Sequence, residues 1–211
     1  MRQEKALTVE EDKIIYFIGS LEEYLNKKNL LNFDFPLPPN SIFRINLAWV
    51  NSIDDLKSLL EKHQEHKIFL DMPIGRTKPP NNKYSFEDLT PILNSNKNIQ
   101  FFAISNVDSK KDLEPFQQSI PEHITIVPKI ESPLGVENIE EIINSLGDKK
   151  IVMLDHDDLF SNTIKQNQSP SDFKDYFTKL VNYCNSNKIT LLRTIGVVFS
   201  EQEKRITEYM Q

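Results

Sequence analysis

The chain has 211 residues, of which 38% are hydrophobic and 27% charged, with a formal net charge of -6. That length buries one sizeable core and predicts a single domain, no apolar run approaches the roughly 20 residues of a membrane helix, and the acidic balance argues against a broad nucleic-acid surface. The lone Cys184 has no partner within the chain and the opening Met1-Arg-Gln-Glu-Lys-Ala holds no apolar signal stretch, so a soluble protein in a reducing cytoplasm is expected.

In chain order, residues 1–12 are polar and read as a loose N-terminus, with one domain over 13–211. Lys13 to Gly19 is a first strand, and Ser20-Leu-Glu-Glu23 has the capping-box spacing that opens a helix. The prolines of Phe33 to Pro39 make a linker or rim loop. Ser41 to Ala48 alternates apolar and polar residues as a two-faced strand, with Arg44 and Asn46 on one face. Ser52 to Lys62 is an amphipathic helix carrying Ile53, Leu56, Leu59 and Leu60 on its apolar side. Lys67 to Asp71 is a third strand, ending in a carboxylate. Met72 to Pro91 reads as an irregular basic loop. A strand over Asn98 to Ser105 and a helix over Ser109 to Ser119 follow.

The centre of the chain is one βαβ unit. Ile124 to Glu131 is a β-branched apolar run that delivers Lys129 and Glu131 at its end; Val136 to Ile143 has helical spacing; Lys150 to Leu154 is the next strand, followed by Asp155-His-Asp-Asp158. Parallel strands put their C-terminal ends on one side of a sheet, so Glu131 and Asp158 should face one pocket. Two hard oxygen ligands beside a lysine suit Mg²⁺ or Mn²⁺ neutralising a phosphate or enolate oxygen. The plainer alternatives are a structural ion pair between Lys129 and Glu131 and an acidic turn over Asp155 to Asp158. His63 and His66 read as a solvated helix end, Trp49 as packing and Cys184 as helix core. Ser169 to Asn187 is a long helix, Ile189 to Thr194 the last strand, and Ser200 to Met210 a terminal helix. Seven strand signals alternating with helices imply an α/β fold with a parallel sheet, a (β/α) barrel of TIM type one strand short. With only five glycines and no Gly-rich phosphate loop, any phosphate falls to a metal, to Lys and Arg or to helix N-termini.

These segments carry a resemblance. Lys13 to Gly19 resembles KIVCTIG, Phe43-Arg-Ile-Asn-Leu resembles ARLNFSHG, and Phe69-Leu-Asp71 with Arg76-Thr77 resembles a shortened LDTKGPEIRTG. Phe102-Ala-Ile-Ser105 resembles FASFI, Lys129 to Asn138 resembles KIENxEGVxN, Asp158-Leu159 sits where RGDLG is expected, and Cys184 to Lys188 with Thr194 resemble CNRAGKPVICATQM. In that order they resemble the barrel domain of the pyruvate kinase family, within the superfamily of barrels that bind phosphoenolpyruvate or pyruvate.

The resemblance implies that Glu131 and Asp158 ligate the divalent metal and that Lys129 stabilises charge on a phosphoryl group or enolate. It implies phosphate contacts for Arg44 and Arg76, monovalent-cation ligands in Asn46 and Asp71, and a place for Thr194 near the reacting carbon. Ala48 and Met72 replace hydroxyl-bearing ligands, which speaks against K⁺. Asp157 replaces a glycine and adds charge where a substrate carboxylate would dock. The small β-domain that closes over nucleotide, the eighth strand and the regulatory domain have no counterpart, so full pyruvate kinase activity is not expected.

Three functions follow. The first is a metal-dependent transferase-like enzyme acting on phosphoenolpyruvate, pyruvate or a related 2-oxo acid. The second is a metal-dependent carbon–carbon lyase of the aldolase or citrate-lyase type, which needs no nucleotide cover, although the acid–base histidine of such aldolases has no counterpart between Lys13 and Val50. The third is a non-catalytic barrel that binds a metabolite or a protein. A small-molecule substrate, no nucleic acid, no membrane and a homodimer through the open barrel edge are the expected partner relations.

Overall fold

The apolar runs of the sequence pair with one another in chain order. The computed structural model describes residues 5–9, 13–17, 42–75 and 83–193. Six strands, β3 (Ile42–Asn46), β4 (Lys67–Met72), β5 (Ile99–Ile104), β6 (Thr125–Ile130), β7 (Ile151–Leu154) and β8 (Thr190–Arg193), form one parallel sheet in the order β3-β4-β5-β6-β7-β8. The sheet curls into an open half-barrel, the arrangement of a partial TIM-type barrel. Two further strands, β1 (Lys5–Val9) and β2 (Lys13–Phe17), pair antiparallel as a hairpin, with β2 beside β3 and β1 beside β8.

All seven predicted strands are present, as β2 to β8. The eighth, β1, falls in the segment predicted to be loose; its residues Ala6 to Val9 are a short apolar and β-branched run whose pairing comes from β2 across a short connection. Among the described residues there are therefore eight strands, six of them in the parallel sheet, where the sequence predicts seven alternating with helices.

Side chains alternate across each strand, and the alternation builds two layers. On the outer face Phe43, Ile45, Ile68, Leu70, Phe102, Ile104, Val152 and Leu154 join the main core. On the inner face Ile42, Phe69, Ala103, Val127, Met153 and Leu192 form a separate buried cluster, one residue from each strand. Two residues further along each of β3, β4 and β6 the same face turns polar, with Arg44, Asp71 and Lys129. The apolar layer is thus a floor, and the polar layer above it lies at the C-terminal ends of the strands.

The connecting helices are α1 (Ile53–Lys62), α2 (Phe86–Ser95), α3 (Glu114–Gln117), α4 (Pro133–Glu137), α5 (Ile139–Asn144), α6 (His156–Lys165) and α7 (Pro170–Ser186). Helix α2 corrects the loop predicted over Met72 to Pro91. Pro91 removes one backbone donor from its interior, but a capping box between Ser85 and Asp88 fixes its start, and Leu89, Ile92 and Leu93 are buried. Helix α6 begins within the acidic run, with Asp155 as its N-cap and Asp157 and Asp158 in its first turn. No helix among the described residues is long and apolar enough to cross a membrane. The predicted helices at Ser20 and Ser200 to Met210, and the loop of Phe33 to Pro39, lie outside the described residues.

Candidate metal centre at the C-terminal rim of the sheet

Parallel pairing brings Asn46 level with Asp71, Asp71 level with Ala103, and Lys129 level with Met153. The strand ends therefore present their inner-face side chains to one another. Lys129, 5% exposed, reaches three partners: its Nζ lies 2.7 Å from Glu131 Oε1 and 3.5 Å from Asp71 Oδ2, and it donates to Ser105 Oγ at 3.2 Å. Arg44 closes the row. Its Nε donates to Asp71 Oδ2 at 3.0 Å, and its Nη2 pairs with the same oxygen. Arg44, Asp71, Lys129 and Glu131 thus form a chain of alternating charge across β3, β4 and the end of β6.

Burial and pairing pull on each of these groups. Burial alone would raise the Asp71 carboxyl, but Lys129 and then Arg44 overcome it and hold the group below the usual carboxylate range. Burial opposes the Lys129 ammonium, yet Asp71 and Glu131 outweigh that and keep it protonated well above neutral pH. Glu131, 2% exposed, goes the other way. Burial pushes it up to about 7, Lys129 opposes the rise, and Asp155 adds to it.

Glu131 is fixed from both ends. Its Oε2 accepts the backbone N–H of Asn106 at 2.8 Å, and its backbone carbonyl accepts Asn162 Nδ2 at 2.7 Å. Asn106 sits at φ 54°, a left-handed conformation that asparagine tolerates, and donates its side-chain amide to the Ile74 carbonyl at 2.5 Å. The loop after β5 is held against α4 as well. Ser132 caps α4 by accepting the Gly135 N–H at 3.0 Å and hydrogen-bonds Asp108, whose carbonyl accepts Asn138 Nδ2 at 2.8 Å. Gly135 allows this approach, since a Cβ there would stand 2.6 Å from the Val107 carbonyl oxygen.

Glu131, Asp155 and Asp158 converge, with one carboxylate oxygen from each lying within 4.8 Å of the others. One divalent ion can bridge carboxylate oxygens no further apart than this, so the three residues could hold a hard cation such as Mg²⁺ or Mn²⁺. Glu131 is buried, Asp155 half-buried and Asp158 exposed, which gives the group an inner and an outer side. Asp155 also caps α6, its Oδ1 accepting the Asp158 N–H at 3.3 Å.

Glu131 and Asp158, expected to face one pocket, have carboxylate oxygens within 4.8 Å of each other, and Lys129 pairs with Glu131. Sequence reading missed Asp155 as a third donor, although its place directly after a buried strand was the available signal. Ser105, Asn106 and Asn162 were missed too, and only contacts between distant segments reveal them. Asn46 does not join the charged row: its Oδ1 accepts the Ala48 N–H at 3.0 Å and caps the 3-10 turn Leu47–Trp49. Arg76 and Thr194 lie outside the described residues.

No protein-family profile matches the sequence, and no curated protein matches it. Solved structures do match the fold. Among them is RipC from Yersinia pestis, with a TM-score of 0.54 and 14% sequence identity over 80% of this chain and 79% of that one.

Proposed function

We propose that the chain is a divalent-metal-dependent carbon–carbon lyase of the aldolase or citrate-lyase type, acting on a small 2-oxo acid or related carboxylate through an enolate. The observation that carries this reading is the convergence of Glu131, Asp155 and Asp158 beside Lys129 at the C-terminal rim of a curled parallel sheet, the side on which such sheets place their sites. A divalent cation held by the three carboxylates would polarise a substrate carbonyl and stabilise the enolate oxygen.

The chain's own groups supply the rest. Lys129 stays protonated between Asp71 and Glu131, so it serves as a fixed cation and hydrogen-bond donor toward developing oxyanion charge, not as a base. Asp71 and Arg44 hold that ammonium in place and keep the row neutralised within the sheet. The apolar floor beneath them keeps water out from below. Arg76 and Thr194 enter this reading from the resemblance, as an anion contact and a hydroxyl near the reacting carbon.

The second reading is phosphoryl or enolate chemistry on phosphoenolpyruvate, which would use the same metal and Lys129. Residues 73–85, between β4 and α2, are too few to form a nucleotide-covering domain, and this favours the lyase. The test is a panel of 2-oxo acids and hydroxy acids assayed with Mn²⁺ for carbon–carbon cleavage, beside phosphoenolpyruvate with ADP, for the native protein and Glu131→Ala. Metal-dependent cleavage lost in the variant supports the proposal. Turnover of phosphoenolpyruvate alone supports the second reading, and metal binding without turnover of either class supports a non-catalytic binding barrel.

A further inference from the structure

The three carboxylates sit on two separate pieces of chain. Glu131 follows β6, whereas Asp155 and Asp158 cap and open α6. The sheet already sets Glu131 beside Asp155, each one residue past the paired Ile130 and Leu154, whereas Asp158 lies in the first turn of α6, and the Asn162 side chain links that helix to the Glu131 segment. Asn162 lies one helical turn beyond Asp158, on the same face of α6, and donates its amide to the backbone carbonyl of Glu131 itself at 2.7 Å. Lys165 Nζ donates to the other end of that amide, Oδ1, at 3.3 Å, so the donor side faces Glu131 and the acceptor side faces the lysine. Leu159 and Thr163, both fully buried, anchor the intervening turn, and the Thr163 hydroxyl bonds back to the Leu159 carbonyl at 2.8 Å. The helix is therefore seated firmly, and Asn162 is a side chain that ties it to the segment carrying the buried ligand.

We propose that Asn162 is a positioning residue of the metal centre, setting the distance between Glu131 and Asp158. This rests on the metal reading above and adds which residue determines the geometry. Small octahedral ions demand close-set, well-placed oxygens, whereas Ca²⁺ accepts looser and longer coordination. Loosening the link therefore weakens Mn²⁺ or Mg²⁺ more than Ca²⁺, a change in selectivity that a purely structural asparagine would not produce.

The experiment titrates Mn²⁺ by electron paramagnetic resonance, with Ca²⁺ in competition, on the native protein, Asn162→Ala, Asn162→Gln and Glu131→Ala, with metal-free melting curves in parallel. Asn162→Ala is expected to bind Mn²⁺ about 10- to 100-fold more weakly, in the range for residues that orient metal ligands, with a smaller loss for Ca²⁺. Asn162→Gln keeps a helix-favouring amide but displaces the donor, and it should shift the same ratio if Asn162→Ala does not fold. Mn²⁺ affinity and Mn²⁺/Ca²⁺ selectivity within twofold of native in a folded variant overturn the inference while leaving the metal site standing, provided Glu131→Ala loses the ion. A native protein that binds no Mn²⁺ overturns both.

Discussion

Removing the Asp71 carboxylate should strongly destabilise the protein, because the group joins two cations that have little other access to water. Asp71 is 1% exposed, and its Oδ2 accepts Arg44 Nε at 3.0 Å and lies 3.5 Å from Lys129 Nζ. In Asp71→Ala the Lys129 ammonium loses one of its two close carboxylates and keeps Glu131, with Asp155 further off, and the guanidinium loses its contacts with Asp71. Breaking a buried pair from one side costs about 3–5 kcal/mol, since the remaining charge stays desolvated. At about 2–4 °C per kcal/mol for a chain of this size, that is a fall in melting temperature of roughly 6–20 °C. Arg44→Ala should cost less, because the Arg44 side chain is 16% exposed and Lys129 remains to serve Asp71. Urea unfolding is the assay, with an unchanged slope and a lower midpoint expected. The pH dependence has a definite sign. Asp71 is held below its unfolded value, so its stabilisation is present above the ordinary carboxylate range and is lost as pH falls through the lowered folded value; the gap between native protein and Asp71→Asn should narrow in acid. A loss under about 1 kcal/mol for Asp71→Ala, against the 3–5 expected for a buried pair, would refute the reasoning.

Three further outcomes are expected. Gly135→Ala sets a Cβ against the Val107 carbonyl, where backbone on both sides must shift, and should lose about 1–3 kcal/mol by urea unfolding, the range for overpacking. His63 stacks on Phe43 at 4.0 Å, and burial, then His66 and Lys62, lower it from 6.5 to about 4; stability should fall as pH drops from about 6.5 to about 4, and His63→Leu should flatten that part of the curve. Mn²⁺ at a hundredfold excess over its dissociation constant should stabilise the native protein by about 2.7 kcal/mol in a thermal melt, a gain absent in Glu131→Ala.

The strands from β3 to β8 were legible because buried parallel strands are short, apolar and β-branched, and β2, though antiparallel, carries the same kind of run in Ile14 to Phe17. Strand β1 was not, because Lys5 to Val9 is flanked by charge and becomes a strand by pairing with β2. Helix α2 was hidden by Pro91, although Ser85 and Asp88 carry a cap signature that outweighs a single missing donor. At the site, Lys129, Glu131 and Asp158 could be read because strand ends and chain order fix where they lie. Asp155 was obscured by its role as a helix cap, and the bridges from Asn106 and Asn162 to Glu131 join residues 25 and 31 positions apart, beyond the reach of local pattern.

The proposed ion would sit between the end of β6 and the first turn of α6. Anomalous diffraction from crystals soaked in Mn²⁺ tests that placement most directly. A single strong peak is expected among the carboxylates of Glu131, Asp155 and Asp158, at about 2.1–2.4 Å from an oxygen of each. An ion bound elsewhere, or no peak at that position in crystals soaked at saturating Mn²⁺, would contradict it.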